Sequence, residues 1–150
     1  MQEVRTYNYA QLTDKILNTA VTLDNVNFAM EGNIYEINSL ECTQYPLIFA
    51  SAVRPAVEHE EYFSYYITLY YFDRLQDQTE DQNNAASIIV RSNGIQALSE
   101  LIQEIRRFEY VIDVPYENQY TCFGSTFVFS DYCLGVYTEI EVKLPKPTLC

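Results

Sequence analysis

YFSYYITLYYFDR, residues Tyr62–Arg74, is the stretch that decides the fold. A run of β-branched, tyrosine and phenylalanine residues predicts a strand, and the polar run LQDQTEDQNN bounds it on the far side. Alternation gives the strand two different faces. Phe63, Tyr65, Ile67, Leu69 and Tyr71 suit a packed core, whereas Tyr62, Ser64, Tyr66, Thr68, Tyr70 and Phe72 form an uncharged, amphipathic second face. Solvent-facing strand positions ordinarily carry Lys, Glu, Arg or Thr. A strand without charge until Asp73 therefore expects cover on both sides.

Working outward from it, Thr6 to Val21 has apolar residues at Tyr9, Leu12, Ile16, Leu17 and Ala20, the spacing of an amphipathic helix. Val26–Met30 and Asn33–Ile37 read as short strands around Glu31-Gly32. Tyr45–Val53 reads as another, with Pro46 near its start, where a missing amide does least harm. Arg54–Glu61, with Pro55 and three glutamates, reads as a solvated loop, and Asp73–Asp81 as an acidic mobile one. Asn83–Arg107 is the principal helix, striped by Ile88, Ile95, Leu98, Leu101, Ile102 and Ile105. Gly94 within it costs about 1 kcal/mol relative to Ala, which predicts a kink or close packing there. Tyr110–Val114, Tyr120–Phe123, Thr126–Ser130 and Val136–Leu144 then read as strands. The last has Val136, Thr138, Ile140, Val142 and Leu144 inward and Tyr137, Glu139, Glu141 and Lys143 outward. Residues 145–150 read as a loose arm.

The order is helix, strands, helix, strands. It predicts one domain over residues 1–150, an α+β two-layer sandwich with two helices on one face of a mostly antiparallel sheet. Two helices cover only one face. The face of Tyr62, Tyr66 and Tyr70 is then left without an intramolecular partner, unless loops or the C-terminal arm reach it. Tyrosine is favoured at protein–protein interfaces, and this chain has 14 Tyr and no Trp. An assembly subunit is the expectation; a cytoplasmic adaptor that binds one partner protein through the same face is the alternative.

Charge and composition narrow the classes. Nine basic residues against 21 acidic ones give a net charge of −12, which repels phosphate backbones. No apolar run approaches the roughly 20 residues that span a bilayer, and MQEVRTYNYAQL lacks the basic start and apolar core expected of a secretion signal. Maturation in a reducing cytoplasm follows as the expectation, with Cys42, Cys122, Cys133 and Cys150 as free, mostly buried thiols. His59, the sole histidine, lies in the acidic run EHEE and is expected to be exposed, and four scattered glycines build no phosphate loop. Glu141-Val142-Lys143 has the E-x-K spacing of a nuclease strand, with Asp113 as the upstream carboxylate it would need. Any exposed strand face looks the same, and the net charge opposes DNA capture. No catalytic, cofactor-binding or metal-binding residue is expected, and the chain reads as a non-enzyme.

FDRLQDQ after an aromatic strand, with the closing FVFSDYCLGVYTEIEVKL, resembles the small neck and tail ring proteins of tailed bacteriophages, namely tail-terminator and tail-completion proteins. Phe129, Asp131, Cys133, Gly135, Val136 and Tyr137 fit the closing pattern, and the order of elements matches over residues 6–144. The style of sequence is most similar to phages of gut Bacteroidota, including the crAss-like group. The resemblance implies a structural virion protein, assembled in the host cytoplasm as a six- or twelve-membered ring. Such a ring is stacked below the portal among other neck and tail proteins, with DNA as passing cargo only. The family works through surfaces, so the resemblance assigns no single residues; ring contacts are expected through the face of Tyr62, Tyr66 and Tyr70 or through the acidic loop 73–84, which begins at Asp73 and Arg74.

Overall fold

The computed structural model describes residues 8–34, 36, 44–52, 54–74, 80–115, 118–128 and 131–146, with 80–87, 124–128 and 131–132 described in backbone only. α1 spans Tyr9–Ala20. It begins where Asn8 and Gln11 close a capping box, each side chain bonding the other's backbone N–H at 3.0 and 3.2 Å. Leu12, Ile16 and Ala20 are its buried stripe, and Thr6 lies outside the described residues. β1 (Phe28–Glu31) and β2 (Leu47–Ser51) follow, and every residue of β2 is buried. Asn33–Ile37 is not a second strand where it is described: the Glu36 N–H donates to the Asn33 carbonyl at 2.9 Å, closing a turn.

β4 (Tyr62–Arg74) has the expected bounds. The segment before it is more ordered than a solvated loop, because Val57–Glu58 forms β3 on the edge of β4. α2 runs from Glu80 to Arg106. Glu80 and Asp81, expected in a mobile loop, are therefore helical, and Asp73 and Arg74 end β4; residues 75–79 lie outside the described residues. β5 (Thr121–Val128) and β6 (Asp131–Pro145) complete a six-stranded sheet in the order β1-β2-β4-β6-β5. Only β1 against β2 is parallel among the described pairings. The fold is the expected two-layer α+β sandwich, mostly antiparallel.

Both helices lie on one face. Leu12, Ile16 and Ala20 of α1 and Leu98, Leu101, Ile102 and Ile105 of α2 pack with Ile67, Leu69 and Tyr71 of β4 and Val136, Ile140, Val142 and Leu144 of β6. The second half of the α2 stripe, Leu98, Leu101, Ile102 and Ile105, is buried as expected, and the first half differs: Ile88 and Ile95 are exposed, and Val90 and Ala97 are buried in their stead. Gly94 lies on this buried side: a Cβ there would lie 2.9 Å from both Tyr71 Cδ1 and Val136 Cγ2, so a missing side chain lets the helix seat directly on the sheet. Gly94 thus serves close packing.

Further corrections concern the outer chain beside β6 and the C-terminal end of β6. Tyr110–Val114 is not a strand. Val111 N–H donates to Phe108 O at 3.2 Å, and Tyr110 has a φ of 76°, a turn conformation that ends any ladder. Asp113 then makes a single bridge to Lys143. The two strands expected over Tyr120–Phe123 and Thr126–Ser130 are one, β5, which begins at Thr121 and whose register slips between Phe123 and Thr126; residues 129–130 lie outside the described residues. Arg106, in the last turn of α2, fixes this outer chain by donating to the carbonyls of Val114 and Pro115 at 3.0 and 2.7 Å. The C-terminal arm is shorter than expected. Pro145 belongs to β6 and the Lys146 N–H donates to Glu61 O, while 147–150 lie outside the described residues.

Candidate interaction face

The face of the sheet turned away from the helices is assembled by register. Tyr70 of β4 lies opposite Phe49 of β2 and Tyr137 of β6, Thr68 opposite Ser51 and Glu139, and Phe72 opposite Leu47 and Gly135. Thr121 and Phe123 of β5 extend the face beyond Tyr137 and Gly135. The result is a connected set of rings: Tyr70 to Phe72 at 5.6 Å, Tyr70 to Tyr137 at 5.4 Å, Phe72 to Phe123 at 5.4 Å and Phe49 to Tyr70 at 6.4 Å. These are separations at which aromatic pairs attract beyond their buried area. Leu47, Phe49, Phe72 and Cys133 form a buried second cluster, with Met30, Ile34 and Tyr45 packed on its side. Tyr70, Tyr137 and Phe123 remain half-buried at its rim.

Gly135 makes this packing possible. A Cβ on it would lie 2.0 Å from the Tyr71 carbonyl oxygen and 2.3 Å from Phe123 Cζ, so the Phe123 ring occupies the space a side chain would need.

The expectation that Tyr62, Tyr66 and Tyr70 lack intramolecular partners does not hold. Tyr62 stacks on His59 at 4.4 Å, which leaves His59 half-buried, and has Lys143 Nζ 5.5 Å from its centroid. Tyr66 carries the Arg54 guanidinium 4.2 Å from its centroid, and Arg54 pairs with Glu139. All three tyrosines are nevertheless only half-buried, because these neighbours are single side chains and no second layer of the described chain lies over them. They form a strip: Tyr62 to Tyr70 spans about 26 Å at roughly 3.3 Å per residue. Arg74 belongs to the same face. Asp73 does not, since it pairs with Leu134 on the helix-covered side. Burial pushes the Asp73 carboxyl above its ordinary value, opposed by the Arg74 N–H that donates to it at 2.9 Å.

Beside Glu139 the outer chain leaves a cleft of about 710 Å³ lined by Asn118, Gln119, Thr121, Tyr137, Thr138 and Glu139. On the E-x-K strand, Lys143 Nζ is 3.8 Å from Asp113 Oδ2, and Glu139, two residues before Glu141, pairs with Arg54. Among the described residues no three His, Cys, Asp or Glu side chains come together as a metal would require. Cys133 is buried and Cys122 exposed, neither is in a disulfide, and Cys42 and Cys150 lie outside the described residues. No described helix is long and apolar enough to cross a membrane.

Tyr137, Phe123, Arg54 and Glu139 were not among the residues the sequence singled out for this face. Alternation put Tyr137 and Glu139 outward; their neighbours come from other strands and are set by register. The chain matches no protein-family model, and no curated protein matches it in sequence.

Proposed function

We propose that this chain is a structural, non-enzymatic subunit that assembles with copies of itself through the tyrosine-bearing sheet face. We place it as a ring-forming neck or tail connector, of the tail-terminator kind, in a phage virion. The observation that carries the reading is the asymmetry of the sheet. One face is sealed by α1 and α2, while the other leaves Tyr62, Tyr66, Tyr70, Tyr137 and Phe123 half-buried in one continuous strip. Aromatic side chains with hydrogen-bonding tips are what interface centres favour. The net charge of −12 suits a channel wall along which DNA slides without adhering. The virion and the stacking below the portal rest on the resemblance of the closing strand and of FDRLQDQ to phage neck proteins.

Electron microscopy of the purified chain tests this. Rings of six or twelve subunits seen along their axis are the expected result. A particle of single copies at every concentration overturns the ring, and a fixed one-to-one complex with a host or phage protein through the same face gives the adaptor role instead.

A further inference from the structure

We infer that the Arg54 side chain is a built-in cover on this face, displaced when the face associates. The inference rests on the proposed role of the face as an interface. Its basis is a surplus of chain at the β4 edge. Ser51 pairs with Thr68 and Val57 with Ser64, so six steps of outer chain run beside four of β4. Arg54 and Pro55 lie in that surplus. From there the Arg54 guanidinium crosses β4, rests 4.2 Å from the Tyr66 centroid and ends on the Glu139 carboxylate of β6. It therefore occupies the outer side of Tyr66, the middle tyrosine of the strip, and uses a carboxylate from the neighbouring strand to stay there.

Two features make this a removable cover rather than a structural tie. The Arg54 and Glu139 side chains are 54% and 39% exposed, so water and salt weaken their attraction. Neither Arg54 nor Pro55 is buried, so withdrawing the side chain opens no cavity in the core. A neighbouring subunit that presses an apolar surface onto Tyr66 gains the ring area and gives up only an exposed ion pair and an exposed cation–ring contact.

The test is the double variant Arg54→Ala/Glu139→Gln, which removes one positive and one negative charge and so keeps the net charge at −12. Hydroxyl-radical labelling of dilute, single-copy protein, read by mass spectrometry, should show Tyr66 labelled severalfold more in the variant, with Tyr71 unchanged as the buried control. Sedimentation over a concentration series should show the variant assembling at a roughly five- to tenfold lower concentration, the loss of one exposed pair and one exposed ring contact. Unchanged Tyr66 labelling overturns the cover. Increased labelling with assembly unchanged or weakened overturns its control of association. Increased labelling with neither protein assembling at any concentration overturns the interface reading beneath it.

Discussion

Tyr71 sits at the centre of the layer between sheet and helices, fully buried against Gly94, with its hydroxyl bonded to nothing among the described residues. Burial raises its phenol far above the ordinary value of 10.0, and nearby Asp73 adds to the shift. The unfolded chain therefore ionises this group first. Stability that is fully present below about pH 10 falls as the pH rises above it. Tyr9 and Tyr65 are shifted in the same direction by burial and add to the fall. Tyr71→Phe should cost less than about 1 kcal/mol at neutral pH, because it removes a hydroxyl that has no partner to lose. It should also flatten the alkaline decline; denaturation midpoints at pH 7 and above pH 10 check both. Gly135 is the opposite kind of residue, kept for the side chain it lacks. Gly135→Ala sets a Cβ against the backbone oxygen of Tyr71, which cannot rotate away, and should destabilise by about 1–3 kcal/mol in chemical denaturation.

Among the elements, the β4–β6 pair is the frame, and the outer chains are attached to it with slips. β4 pairs with β6 along its whole length. Beside that frame, β2 and β3 are separated by surplus chain, and β5 slips in register between Phe123 and Thr126. The Phe123 ring, seated on Gly135 and against Phe72, fixes the first half of β5. Phe123→Ala should cost about 2 kcal/mol, less than a fully buried ring because Phe123 is half-exposed. Hydrogen exchange should quicken at Thr121 and Phe123 while the β4–β6 amides stay protected. This division between frame and periphery also explains what the sequence could disclose. A long charge-free strand and a cleanly alternating one identify themselves, and β4 and the inward face of β6 were read directly. Asn33–Ile37, where it is described, and Tyr110–Val114 have strand composition, yet local turns take them, and composition does not encode a turn closed by Glu36 or Tyr110. In α2, Leu98, Leu101, Ile102 and Ile105 identify the buried side, but Ile88 and Ile95 do not, because in the first half of the helix Val90, Gly94 and Ala97 face the sheet.

At the scale of the molecule, two helices do cover only one face, as the order of elements implies. The other face proved less bare than the strand alone suggested. Phe49, Phe72 and Cys133 are covered within the chain, and His59, Lys143 and Arg54 lie on the remaining tyrosines. Those partners come from loops and other strands, so pattern within β4 did not reveal them. What stays half-exposed is narrower than the whole face: the strip from Tyr62 through Tyr66 and Tyr70 to Tyr137. Assembly through that strip is the central claim, and the light-scattering mass of Tyr66→Glu beside the native chain tests it most directly. Tyr66 carries a solvent-exposed guanidinium on its outer side and lies opposite Glu141, so a glutamate there adds one like-charge pair, a cost of about 1 kcal/mol to the single-copy fold, and places charge where a neighbour must dock. The account predicts a native mass of several 17.5 kDa copies, and a variant of one copy that still unfolds in a single cooperative transition. A native mass of 17.5 kDa at every concentration, or a variant that assembles as the native does, would contradict it.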